Sequence, residues 1–250
     1  MKKVMIVLLA TMLAFSRAAL SAQKIEDIPW DESHIKQLRA AGKHAMFRFF
    51  LHQKDPDNEM EWTESSISWD YAWYPIGDGK YELAVDYQSG PDIGFNTFYW
   101  RDTAGKITSQ DFGTAGDASE DWYNGPGSAD LNGDGQTETI DFADLQYDPP
   151  PQRTKFIPNG RWPQVYRLRN GQYVEASRDF PKFYENKILP ELDKAMAKAP
   201  EEQSPTRYLA ALIMCRDKIL RVSGRDPTAG LTQARQWMTS PDPILVDDAK

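Results

Sequence analysis

Apolar residues recur along the chain with two different spacings, which separate helical stretches from extended ones. Over 33–51 they fall three and four positions apart, which predicts an amphipathic helix that Gly42 weakens. Over 67–176 the chain changes to short aromatic and β-branched runs separated by glycine and asparagine, which is typical of antiparallel strands. From Pro181 onwards the helical spacing returns.

Three pairs of these strands flank turn residues and therefore predict hairpins. The pairs are 67–74 with 81–87, 95–101 with 106–112, and 165–168 with 173–176. The third pair flanks Asn170-Gly171, the strongest turn signal in the chain, because both residues tolerate the positive φ of a two-residue turn. We expect Leu168 and Tyr173 to pair across this hairpin.

The C-terminal part predicts further helices. Apolar positions over 183–196 mark one helix that is kinked or split at Pro190. A second helix begins at Pro205 and ends at Gly224, and a short last helix opens at Asp226. The chain as a whole predicts an α+β fold, with an N-terminal helix and an antiparallel β region in a domain over 23–178 and a helical segment over 179–250.

The first 22 residues have the order of a secretory signal peptide. Lys2 and Lys3 precede an apolar stretch over 4–15, which small residues follow up to Ala22. This stretch is too short to cross a bilayer as a permanent helix. We expect cleavage after Ser21 or Ala22, which leaves a soluble protein in the periplasm or outside the cell, without membrane insertion.

Charge and cysteine content narrow the classes of partner. The chain has 29 basic and 37 acidic residues, and removal of the leader with its three basic residues leaves a formal net charge of −11. Such a chain repels a phosphate backbone, so nucleic acid is excluded and hard cations are favoured. Cys215 is the one cysteine, so no internal disulfide forms, and its place on an apolar helix face predicts a buried, inert thiol.

Residues 130–138 carry oxygen-bearing side chains at alternate positions, with Gly135 where the chain must turn sharply. This is the pattern of a loop that wraps a calcium ion, because Ca²⁺ is bound by carboxylate, amide and backbone carbonyl oxygens. The expected ligands are the side chains of Asp130, Asn132, Asp134 and Glu138, the backbone carbonyl of Gln136 and, at the twelfth position, the carboxylate of Asp141.

The flanks of the loop indicate which kind of calcium loop it is. An EF-hand needs a helix on each side, but glycine, proline and asparagine fill 124–127, and Thr139 and Ile140 favour a strand after the loop. The run 129–135 leading into Thr139-Ile140 resembles the calcium loop of FG-GAP or VCBS-type repeats, which occur in β-propellers and related exported bacterial proteins. Those families repeat the motif once per blade and usually have aspartate at the ninth position, whereas this chain has one copy with Glu138 there. The resemblance implies a β-turn stabilised by calcium and no catalytic residue.

The histidines and the tryptophans give weaker indications of a binding site than the 130–138 loop. His34, His44 and His52 lack the spacing of two metal ligands on one helix face, so we interpret them as surface or packing residues. Trp69, Trp73 and Trp100 fall in predicted strands, where they build either the core or a flat platform for sugar rings.

The resulting functional hypothesis is an exported, non-enzymatic calcium-binding protein of binding or structural type. Two alternatives stay open: a carbohydrate-active or other hydrolase that uses two carboxylates, and an accessory subunit whose helical region docks a protein partner. The chain lacks a G-x-S-x-G elbow, a P-loop and a dinucleotide fingerprint.

Overall fold

The computed structural model describes residues 23–57, 63–88, 94–112, 122–123, 127–145, 161–198 and 205–226. Two compact units divide the chain, Met1–Gly116 and Asp117–Lys250. Each unit contains helices and one four-stranded antiparallel sheet, so the predicted α+β class is confirmed. The expected boundary at 178/179 differs from this division, which places the 130–138 loop and the C-terminal helices in one unit. The predicted leader and the last predicted helix beyond Asp226 lie outside the described residues.

The first unit consists of two helices followed by a four-stranded meander. A 3-10 turn at Ile25–Asp27 precedes helices α1, Glu32–Ala41, and α2, Lys43–Lys54. The strands are β1, Ser68–Pro75, β2, Tyr81–Gln88, β3, Gly94–Arg101, and β4, Ile107–Phe112. They pair in chain order, so both predicted hairpins of this unit are present.

The stretch predicted as one helix over 33–51 is two helices that meet at Gly42. The φ of Gly42 is 85°, a value that glycine adopts without steric cost and that interrupts the helix. Asp31 begins α1 as its N-cap, since its carboxylate accepts the backbone N–H of His34 at 3.1 Å. We expected Gly42 to weaken a single helix, but the helix ends there and a second one begins.

The tryptophans of the first sheet are buried. Trp69, Trp73 and Trp100 are 8%, 6% and 2% exposed. Trp73 packs edge to face against Trp30 with ring centroids 5.2 Å apart, and Trp69 lies 5.0 Å from the ring of Phe47 on α2. These three rings therefore belong to the hydrophobic interior, and the sugar-platform interpretation of them is wrong.

The second unit consists of a four-stranded meander followed by helices. Its strands are β5, Ser128–Ala129, β6, Glu138–Asp144, β7, Arg161–Arg169, and β8, Gln172–Glu175, again paired in chain order. A 3-10 turn at Ser177–Asp179, a helical turn at Pro181–Phe183 and a π-helical turn at Tyr184–Ile188 lead into α3, Leu189–Lys198, and α4 is Pro205–Val222.

The irregular stretch before α3 follows from Pro190. Proline has no backbone N–H and its ring clashes with a preceding carbonyl, so the regular α-helical pattern is replaced by a π turn directly before it. The far end of α4 closes as expected at Gly224, whose φ is 76°. Gly224 donates to the Arg221 carbonyl at 3.1 Å and Arg225 to the Leu220 carbonyl at 2.8 Å, the two bonds of a Schellman motif.

The cysteine and the three histidines differ in their exposure to solvent. Cys215 is 1% exposed, and burial raises the pKa of its thiol, as expected for an inert cysteine. The three histidines lie at exposed or partly exposed positions, and His34 and His44 are paired with Asp31 and Glu64. Within the described part of the chain, no helix combines the length and apolarity that a membrane span requires.

The turn at Asn170-Gly171 joins β7 to β8 and has the backbone conformation expected from its sequence. The φ values are 52° and 75°, and Leu168 pairs with Tyr173 as predicted. We expect Gly171→Ala to lower the free energy of unfolding by about 1 kcal/mol, because a Cβ at positive φ costs roughly that much. Asn170→Gly, which suits the same φ, is the control. Urea unfolding measures both variants, and equal midpoints for Gly171→Ala and the parent would contradict the expectation.

Candidate metal-binding loop

The 130–138 stretch is the loop of a β-hairpin. Ala129 on β5 pairs with Glu138 on β6, so the chain leaves and re-enters the sheet at neighbouring positions. The strand expected after the loop is confirmed, and the residues directly before it are a strand as well. The loop therefore lacks the two flanking helices of an EF-hand.

The carboxylate of Asp130 holds the first half of the loop together by accepting three backbone hydrogen bonds. Its Oδ1 accepts the backbone N–H groups of Gly133 at 2.7 Å and Asp134 at 3.1 Å, and its Oδ2 accepts that of Gly135 at 2.8 Å. The backbone can converge on one carboxylate because Gly133 and Gly135 have φ values of 79° and 84°, where other residues are strained. A carboxylate has about four lone-pair sites, so these three bonds leave Asp130 some capacity to bind a cation.

Asn132 and Asp134 close the second half. The Asn132 Oδ1 accepts the Asp134 N–H at 3.0 Å, while its Nδ2 donates to the Asp134 Oδ2 at 3.0 Å. The Asp134 Oδ1 accepts the Gln136 N–H, also at 3.0 Å. The structure thus brings Asp130, Asn132 and Asp134 together around one bend of backbone.

Glu138 is the buried member of the group. Its side chain is 0% exposed, and its Oε2 accepts the Leu131 N–H at 2.9 Å. Its Oε1 accepts no hydrogen bond from the residues that the structure describes, and it lies 3.3 Å from Nε of Arg167 in an ion pair. Burial raises the pKa of Glu138 to about 7, with further raising by Asp134 and Asp130, although the Leu131 N–H and Arg167 act in the opposite direction. The ionised carboxylate is therefore poorly compensated at this position.

Arg167 on β7 supplies the positive charge at the loop. Its Nη2 donates to Asp134 Oδ2, and its Nε lies 3.1 Å from Gln136 Oε1. Burial alone would raise the pKa of Asp134, but hydrogen bonds from Arg167, the Gln136 backbone and Asn132 lower it. The side chain of Gln136 also donates to the Leu168 carbonyl at 2.8 Å, which ties the loop to β7 a second time.

Arg167 was missed by the sequence analysis because it lies far along the chain from the loop. A signal was present in the strand pairing. The register that pairs Thr139 with Tyr166 places Arg167 opposite Glu138, so an acidic and a basic residue face each other across the two inner strands of the sheet. Recognition of this pair requires the register of β6 and β7, which the sequence pattern did not supply.

Asp141 is not brought to the loop. It lies on β6 opposite Gln164, and its Oδ1 accepts the Phe142 N–H at 2.9 Å. Glu138 and Asp141 are three positions apart on one strand, so their side chains lie on opposite faces of the sheet. Burial raises the pKa of Asp141, although the Phe142 N–H and Arg161 lower it.

The loop side chains are engaged with one another and with Arg167. Across the described residues, no group of three or more His, Cys, Asp or Glu side chains is placed to hold a metal ion together. The chemistry of the loop nevertheless fits calcium, since its groups are hard oxygen ligands and the described part of the chain offers no hydrogen-bond donor to the buried Glu138 Oε1. A bound ion would have to replace part of the internal hydrogen bonding.

Comparison of the chain with protein-family models, with curated proteins and with solved structures found no match. The resemblance of the loop to FG-GAP and VCBS repeats therefore stays a prediction.

The buried carboxyl of Glu138 should make the free energy of unfolding depend on pH. Its pKa in the folded protein, about 7, lies above that of an exposed glutamate, so folding takes up a proton between these values. In the presence of chelator, the free energy of unfolding should be highest below pH 4.5 with respect to this group and fall as the pH rises to about 7. Glu138→Gln should lack this contribution.

Chemical denaturation of the two proteins at several pH values measures the effect. The difference between parent and Glu138→Gln is the informative quantity, because other titrating groups are common to both. Parallel pH profiles would show that Glu138 titrates normally in the folded state.

Proposed function

We propose that the protein is an exported calcium-binding protein of non-enzymatic, binding or structural type, in which the 130–138 loop binds one Ca²⁺. The observation that carries the proposal is the buried Glu138 carboxylate, which lies beside Asp130 and Asp134 and whose Oε1 has, among the described residues, the ion pair with Arg167 but no hydrogen bond. Removal of an ionised carboxylate from water costs several kcal/mol unless a cation or donors compensate it. A divalent cation at these oxygens supplies that compensation.

The position of the loop supports a structural role for the ion. The loop joins β5 to β6, and β6 pairs on its other edge with β7. An ion that binds both ends of the loop would fix the two residues that begin and end it, Asp130 and Glu138. Because the ion binds the folded loop and not the unfolded chain, its binding free energy adds to the stability of the fold.

The acidic composition is consistent with a hard cation as partner, and the leader sequence supports a compartment outside the cytoplasm. Extracellular calcium sites need only modest affinity, since such sites work at Kd values of about 10⁻⁴–10⁻³ M. The burial of Trp69, Trp73 and Trp100 removes the observation that favoured a carbohydrate-active alternative.

Thermal melts in calcium and in chelator test the proposal. At a free calcium concentration one hundred times Kd, the folded state should gain about 2.7 kcal/mol, which raises the melting temperature by several degrees. Asp130→Asn combined with Asp134→Asn should abolish the shift, because it removes two charged ligands. Asp193→Asn, which changes an exposed acid on α3, is the matched control and should keep the shift.

Calorimetric titration with CaCl₂ gives an independent readout of the same site. We expect one binding event in the parent and in Asp193→Asn, and none in the double variant. Identical melts with and without calcium, together with no heat of binding in the parent, would overturn the proposal.

Export is tested with the natural leader in a Gram-negative host. We expect the product in the periplasm or medium to begin at Ala22 or Gln23, as determined by N-terminal sequencing or intact mass. Leu8→Asp should retain the uncleaved protein in the cytoplasm, because a charge interrupts the apolar core that the export machinery recognises. Leu8→Ile is the control. An uncleaved parent protein in the cytoplasm would contradict the assignment.

A further inference from the structure

We infer that Arg167 is a built-in counter-cation of the 130–138 loop, which holds the loop closed without metal and competes with Ca²⁺ for the same oxygens. The inference deepens the proposed function and rests on it. Its consequence is that the calcium affinity of the loop is set by the free energy of displacing a guanidinium, as well as by the ligands themselves.

The contacts of Arg167 coincide with the expected ligand positions. Its Nη2 donates to Asp134 Oδ2, and its Nε lies 3.1 Å from Gln136 Oε1 and 3.3 Å from Glu138 Oε1. These residues are the fifth, seventh and ninth of the loop, and the sequence pattern assigns ion binding to the same three. At the fifth and ninth positions, guanidinium and ion would use the same carboxylates.

The contact between Arg167 and Glu138 is largely shielded from water. The side chain of Arg167 is 17% exposed and that of Glu138 is 0% exposed, so water screens their attraction far less than that of a surface pair. The planar guanidinium has five N–H donors in a fixed fork, which lets it contact several oxygens at once. The neighbouring bond from Gln136 to the Leu168 carbonyl holds the loop against β7 at an adjacent point.

A second cation at these oxygens conflicts with Arg167. An ion bound by Asp134 and Glu138 would lie close to the guanidinium that contacts both, and like charges at such separations repel strongly where water is excluded. Arg167 must therefore leave at least one of these carboxylates when the ion binds. Metal-free and calcium-bound loops are then two alternative arrangements of the same carboxylates.

Arg167→Gln tests this competition, because glutamine keeps polarity and much of the length but removes the charge. Calorimetric titration of the mature full-length chain with CaCl₂ should give a Kd at least tenfold lower than that of the parent. In chelator the variant should melt several degrees below the parent, whereas in saturating calcium the two melts should coincide. A merely structural arginine would lower the melting temperature in both conditions and would leave Kd unchanged or higher.

Two further variants complete the design. Arg169→Gln removes a charge from the same strand, where Arg169 pairs with Asp179 outside the loop, and it should leave Kd unchanged. Arg167→Lys keeps the charge but loses the fork, and its Kd should lie between those of the parent and Arg167→Gln. If Arg167→Gln is unfolded in chelator and also in calcium, Arg167→Lys decides: a Kd equal to or above that of the parent overturns the inference.

The outcomes separate the inference from the proposed function. Calcium binding with equal Kd in the parent and Arg167→Gln overturns the inference and leaves the proposed function standing. Binding by Arg167→Gln but not by the parent supports the counter-cation and overturns calcium binding by the natural chain. Absence of binding in both proteins overturns both.

Discussion

The hairpin that carries the 130–138 loop depends on a buried acidic side chain, that of Glu138 at the first position of β6. The Leu131 N–H and the guanidinium of Arg167 compensate it only in part, the first across the loop and the second across the sheet. If either partner is removed, the ionised form of this carboxyl loses part of its compensation in the protein interior, and the fold loses stability. The path of the 130–138 loop, the register of β6 with β7 and the position of Arg167 are therefore linked through a single side chain.

The described part of the first unit is stabilised in large part by edge-to-face aromatic contacts. Trp30 lies 5.7 Å from the ring of Phe49 and 5.2 Å from that of Trp73, both in edge-to-face geometry. Arg101 lies over the ring of Trp30 and donates to the Ile28 carbonyl at 3.1 Å, which fixes the segment before α1. Non-directional apolar burial of this kind tolerates small shifts, whereas the contacts at Glu138 depend on the position of individual atoms.

Turns and helix caps can be predicted from the sequence because they depend on neighbouring residues. Contacts between strands that are distant in the chain could not be predicted, because they depend on how those strands pair. Asn170-Gly171 and Gly224 act through their own backbone conformations, so turn and cap follow from the residues themselves. Asp141 was assigned by its place in a loop pattern, but the strand begins at Glu138 and its alternation directs Asp141 to the other face. Arg167 belongs to the site through strand pairing over a long sequence separation, which no local pattern records.

The glutamate at the ninth loop position explains why the loop and the arginine act together. An aspartate here would have a carboxylate one methylene closer to the backbone. The longer side chain of Glu138 spans from the start of β6 both to the Leu131 N–H and to Arg167, so it joins the loop to the sheet as well as presenting an oxygen to an ion. Under the proposed function, such a loop keeps its fold when calcium is scarce and exchanges an internal cation for an external one when calcium is abundant. The cost is affinity, because the ion gains only the difference between its own attraction and that of the guanidinium it replaces.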